Sequence, residues 1–238
     1  MKAIIIKEFG AHESFHRIQE QIGFPAKSPT ADHLSTMEGR IFFFMELQAL
    51  KAALQKPVNR RQTDLADALA FRQIRERLLP KTFANERMLE MNEGLAEYTG
   101  ASLGRSDLRP HLYAQIDTAA NRKSLIRSFA YLTGPIYGLL LHEKARHWTQ
   151  QIDSNADFPE LISRYYQVKA RNAPDESIYN GAVIRTTQRN HSSGNCGRLY
   201  RNVYAKAGDV HYIGQNERDL QPQHTFRPRH LRHHLPNG

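Results

Sequence analysis

A mainly α fold with an irregular C-terminal tail is what the 238-residue sequence predicts, on three observations. Apolar residues recur three and four apart through most of residues 2–168, the spacing that lines one face of a helix. Glycine and proline clusters cut that pattern into helix-length pieces. Beyond about Gln188 the periodicity fails, and neither a helix face nor a strand alternation survives for more than a few residues.

Taken in order, a helical pattern over 2–21 is interrupted by Gly10 and stopped by Gly23-Phe24-Pro25, with 25–32 as a loop. Residues 33–55 are helical through Leu34, Met37, Ile41, Phe44, Met45 and Leu50, and Pro57 breaks them. Leu65, Ala68, Leu69, Phe71 and Ile74 mark an amphipathic helix over 64–79, ended by Pro80. A fourth helix over 83–98 closes at Thr99-Gly100, where glycine suits a left-handed C-terminal cap. Segments 108–132, 136–150 (beyond a break at Thr133-Gly134-Pro135) and 158–168 complete the body, with no internal repeat. The chain thus divides into a helical domain, 1–188, and an irregular basic tail, 189–238, read as disordered.

Composition narrows the function classes. Apolar residues make up 40% and charged residues 24%, a balance suited to a globular body. The single cysteine, Cys196, excludes an intrachain disulfide framework. No run of about 18 apolar residues is present, so no conventional membrane span is expected, and residues 1–9 carry no signal-peptide cleavage pattern. Of the net charge of +9, residues 189–238 contribute +5 and six of the twelve histidines. The tail has neither the aromatic interleaving of a single-strand platform nor a Cys/His zinc spacing, which argues against nucleic acid as the partner.

The chemistry is concentrated in His12-Glu13-Ser14-Phe15-His16, an H-E-x-x-H sequence. Positions four apart share a helix face, so both imidazoles can meet one Zn²⁺, which keeps an open position for water in catalytic sites. Glu13 is placed to act on that water as general base. A third ligand is then required. Glu93, in Asn92-Glu93-Gly94-Leu95-Ala96-Glu97-Tyr98, and Glu38, in Met37-Glu38-Gly39-Arg40, are the candidates, 77 and 22 positions after His16.

The NEGLAEY segment looks like the N-E-G-[FL]-A-E-Y segment of gluzincin metallopeptidases. That resemblance implies that Glu93 is the third zinc ligand, although its distance from His16 is longer than in the gluzincin aminopeptidases and would need an inserted hairpin. Glu38 has the more usual separation and the poorer context, and Glu93 is preferred. Glu97, one helical turn on, faces the same side and is expected to hydrogen-bond a ligand histidine. HESFHRIQ, MEGR, DALAFR, NEGLAEYTG and FAYLTGPIYGLLL together resemble a bacterial metallopeptidase-like family over about residues 11–188. The implied fold is a zincin-like helical metallopeptidase domain. Tyr137, with Tyr131 as the alternative, is the expected oxyanion donor.

The implied activity is zinc-dependent hydrolysis of a peptide or protein substrate. The alternatives are a non-catalytic metal-binding scaffold, or a nucleic-acid binder using the tail. Zincins place a small sheet before the H-E-x-x-H helix, and eleven residues leave no room for it, so the chain is expected to lack most of that sheet. A one-base shift in a permissive back-translation from Arg189 yields a helical start followed by strand-like alternation. A frameshift is therefore the alternative to a genuine basic tail.

Overall fold

Every regular element among the described residues is helical. The computed structural model describes residues 2–192 except Pro25, Lys81, Thr82 and Lys123. Residues 193–238, including Cys196 and nearly all of the expected tail, lie outside the described residues. The α-helices are α1 (Lys2–Ile18), α2 (Met37–Gln55), α3 (Gln62–Leu78), α4 (Phe83–Leu89), α5 (Leu95–Gly104), α6 (Leu108–Thr118), α7 (Ala130–Lys144), α8 (Phe158–Tyr166) and α9 (Gly181–Ser192). A π-helical turn, Glu90–Gly94, joins α4 to α5. No helix among the described residues is long and apolar enough to cross a membrane.

The centre of the body is α2. Its run Ile41, Phe42, Phe43, Phe44, Met45 and Leu47 is buried, as are Leu50 and Leu54, so the helix is covered on more than one face. Thr36 starts it, its side-chain oxygen accepting from Gly39 N–H at 3.1 Å, and a short 3₁₀ turn, Asp32–Ser35, precedes that cap. The helix expected from residue 33 therefore begins at Met37. Around α2 are packed α3, α9 and α6, while α1 lies along α5, α5 along α7, and α8 against α7.

Further expectations about boundaries are corrected, two of them by close backbone contact at a glycine. Gly100 does not end a helix, because α5 continues to Gly104. A Cβ at Gly100 would stand 2.6 Å from the Glu8 carbonyl oxygen and 3.2 Å from His12 Cβ, so the glycine allows α1 to lie directly on α5. Thr133-Gly134-Pro135 is no break either but the second turn of α7. Pro135 removes one backbone donor from that turn, while a Cβ at Gly134 would come within 2.3–2.5 Å of the Gly94 backbone. Backbone-to-backbone contact between α7 and the π turn holds the helix where local propensity would interrupt it.

The expected helix over 108–132 ends at Thr118, and the next α-helix, α7, starts at Ala130. At the other end, α9 runs through the boundary expected at Gln188. Gln188 is buried and its Oε1 accepts from Arg40 Nε on α2 at 2.7 Å, which makes this helix part of the body.

Charge is buried beside the π turn. Arg72 and Arg75 of α3 are each about 1% exposed, as are Glu46 of α2, Glu86 of α4 and Glu90 of the π turn. Arg72 binds Glu90 through both oxygens (3.0 and 2.7 Å), and Arg75 binds Glu86 through both (2.8 and 2.8 Å). Arg75 Nη1 also reaches Glu46 Oε2 at 2.7 Å. Thr133 donates to Glu90 and Tyr137 to Glu46, each at 2.6 Å, and His33 pairs with Glu86. Burial would raise the Glu86 carboxyl, but Arg75 and Arg72 outweigh it and hold that group well below the usual range. At Glu90 burial prevails over Arg72 and pushes the carboxyl up to about 7. Glu76 of α3 also reaches Arg72 Nε at 3.4 Å, so four carboxylates and His33 share the two guanidiniums.

Candidate metal centre

The register of α1 sets the first half of the site. His12 and His16, four apart, turn the same side toward α5, and their Nε2 atoms stand 3.1 Å apart. The π turn sets the second half. Leu95 N–H reaches back to the Glu90 carbonyl, widening the turn. Glu90 then enters the buried arginine network while Asn92 and Glu93 face the histidines. Such π turns recur at functional sites because they re-aim neighbouring side chains without ending the helix.

Glu93 Oε2 lies 3.5 Å from His16 Nε2 and 3.9 Å from His12 Nε2. The nearest point equidistant from those three atoms, in their plane, is about 2.05 Å from each, which matches zinc–ligand distances of ~2.0–2.2 Å. Two nitrogens and one carboxylate oxygen are also the donor set that zinc accepts in an open site. The residues present therefore fit the ion. Among the described residues they form one group of side chains that could hold a metal.

Proton placement supports the same reading. His12 Nδ1 donates to the acceptor-only Glu97 at 3.0 Å, and His16 Nδ1 donates to Gln19 Oε1 at 2.7 Å. With the Nδ1 protons so placed, each Nε2 is directed into the space beside Glu93. At 3.1 Å two lone pairs repel unless a cation, proton or metal, lies between them. Burial would lower the His12 pKa, but the hydrogen bond and charge of Glu97, with Glu93 and Glu13, outweigh it and raise the group above its ordinary value. The Glu93 carboxyl, which burial alone would raise, is held below its usual range by the Tyr131 and Ser28 hydroxyls and by both histidines.

A chain of hydrogen bonds fixes the candidate ligands. Gln19 Nε2 donates to Asn92 Oδ1 (2.8 Å), Asn92 Nδ2 to Ser28 Oγ (3.0 Å), and Ser28 Oγ to Glu93 Oε1 (2.7 Å). The chain starts at His16 and ends on Glu93, so one set of side chains orients two of the candidate ligands at once. Tyr131 completes the site, its hydroxyl donating to Glu93 Oε2 at 2.6 Å and its ring stacked on His12 at 5.8 Å. Replacing Asn92 by Ala cuts this chain of hydrogen bonds in the middle. Zinc affinity is expected to fall about 10–100-fold, measured by competition with a chelating dye, with the helical circular-dichroism spectrum unchanged.

Of the residues expected from sequence, His12, His16, Glu93 and Glu97 lie together. Glu13 is exposed beside them, its charge felt by His12. Glu38, the rival ligand, is exposed in the first turn of α2 and is not in the cluster. Tyr137 is not available as an oxyanion donor, because it is wholly buried and commits its hydroxyl to Glu46. Tyr131, the alternative, is the tyrosine at the site. The spacing of α7 did not separate the two, since which one meets the π turn depends on the crossing at Gly134. Gln19, Ser28 and Asn92 were not singled out, although Gln19 and Asn92 lie within the two motif segments. No family model matches the chain, and no curated protein or solved structure resembles it at a significant level.

Proposed function

We propose that this is a zincin-like, gluzincin-type metallopeptidase domain that hydrolyses peptide bonds at a zinc ion held by His12, His16 and Glu93. The observation that carries the reading is the triangle of ligand atoms whose shared centre is about 2.05 Å from each, with each histidine Nδ1 hydrogen-bonded to an outer oxygen, of Glu97 or Gln19. Zinc bound there supplies a Lewis acid with an open coordination position. Glu13, adjacent to His12 and open to solvent, takes the proton of the attacking water and passes it to the leaving amine. The Tyr131 hydroxyl donates its one proton to Glu93 Oε2 and so holds that carboxylate in place. Glu97 keeps His12 in the tautomer that leaves Nε2 free.

The reading is tested by incubating the zinc-loaded full chain with casein and with a quenched fluorescent peptide library. Cleavage should appear, stop on adding 1,10-phenanthroline, and return with added zinc. One equivalent of bound zinc with no cleavage of either substrate would overturn the hydrolytic half and leave a metal-binding scaffold.

A further inference from the structure

A second site stands apart from the metal centre, and its argument does not rest on the peptidase reading. Between the C-terminal half of α1, α5 and α7 runs a groove of about 550 Å³ walled by Phe15, Ile22, Leu95, Tyr98, Leu103 and Leu139. Leu103 is 73% exposed and Ile22 51%, so this apolar wall is open to water. His142 and Arg146, one turn apart on the chain after Leu139, line the groove and also line a neighbouring basin of about 650 Å³. Both volumes fall in the ~300–1,000 Å³ range of small-molecule sites.

The basin is cationic. Lys56, Arg61, Arg109 and Arg146 line it, with Glu143 as the one carboxylate among the lining residues. Glu143 is already paired with Arg61 (2.6 Å) and with Arg109, and Lys56 reaches Asp64 at 2.6 Å. The Lys56 side chain nevertheless stays 45% exposed and that of Arg109 36%. Arg146 is exposed and makes no hydrogen bond or ion pair among the described residues, and neither does His142. Positive charge in excess of its partners therefore meets the end of an apolar groove at these two shared residues.

From this juxtaposition we infer that the groove and basin bind a single-chain anionic amphiphile, a medium- to long-chain fatty carboxylate. The alkyl chain lies along the Phe15–Leu103 wall, where its burial is favourable in proportion to length. The carboxylate meets Arg146, whose planar fork suits bidentate pairing, with His142 and Lys56 beside it.

The lone tryptophan, Trp148, is buried with its ring 5.5 Å from Tyr98 of the groove, which makes it a natural reporter. The full chain is titrated with sodium dodecanoate below its micelle concentration, following Trp148 emission, with calorimetry reading the same constants. Saturable binding is expected, tightening about two- to fourfold per added methylene from octanoate to dodecanoate. Arg146→Gln, at an exposed unpaired position, should weaken dodecanoate at least fivefold and leave dodecanol unchanged. Leu103→Ser should weaken both. Equal affinity of the wild type for dodecanoate and dodecanol would overturn the inference, as would absence of a chain-length trend. Binding only to phosphatidylglycerol vesicles, with none to free dodecanoate, would also overturn it and assign the face to a lipid surface.

Discussion

Arg72→Met is expected to destabilise the protein by about 3–5 kcal/mol, seen as a shift of the urea midpoint at unchanged slope. The guanidinium is about 1% exposed and holds Glu90 by two hydrogen bonds, with Glu46 3.4 Å away and Glu86 3.3 Å away. Removing it leaves carboxylates in a dry interior with too few cations. The methionine fills most of the volume, so the loss reports charge rather than a cavity. Adding Glu90→Met should recover much of the loss, because exchanging both partners of a buried pair for apolar residues is often close to neutral. A loss no larger in Arg72→Met than in the double variant would contradict this account of the core.

Glu13→Gln is expected to keep one zinc per chain and to lower kcat/KM for peptide cleavage by about 10²–10⁴-fold. That range corresponds to about 2.7–5.5 kcal/mol of transition-state stabilisation. Glutamine has the shape of glutamate but cannot accept the water proton, and the exposed position of Glu13 makes the change neutral for folding. Metal content and activity thus separate in this variant, whereas they fall together when a ligand is changed. Retention of full activity would remove Glu13 from the chemistry.

The local part of the site was legible in the sequence. Two histidines four apart, and two glutamates four apart in a second helix, each define a face without knowledge of the fold. Which faces meet was not readable from spacing, and this is where the expectations parted from the structure. Gly100 and Gly134 carry the same local signal as helix-ending glycines, yet each is the point where another backbone comes within 3 Å of its would-be Cβ. Tyr131 and Tyr137 lie on one helix, and only the crossing at Gly94 decides that the first meets Glu93 and the second enters the core. The hydrogen-bond chain through Gln19, Ser28 and Asn92 joins residues 64 to 73 positions apart, a pairing that no periodicity encodes. The arginine network was hidden for a related reason. Charged residues at helical spacing read as a solvated face until their partners on α2, α4 and the π turn are known.

The central claim is that His12, His16 and Glu93 bind one zinc ion, and metal analysis with zinc-edge X-ray absorption tests it most directly. Protein prepared with excess zinc and then dialysed should hold one equivalent, with a first shell of two imidazole nitrogens and carboxylate oxygen at about 2.0–2.2 Å. Glu93→Gln should lower the affinity by about 100-fold or more, while Glu38→Gln should leave it unchanged. Wild-type protein without zinc under these conditions, or Glu93→Gln with wild-type affinity, would contradict the account.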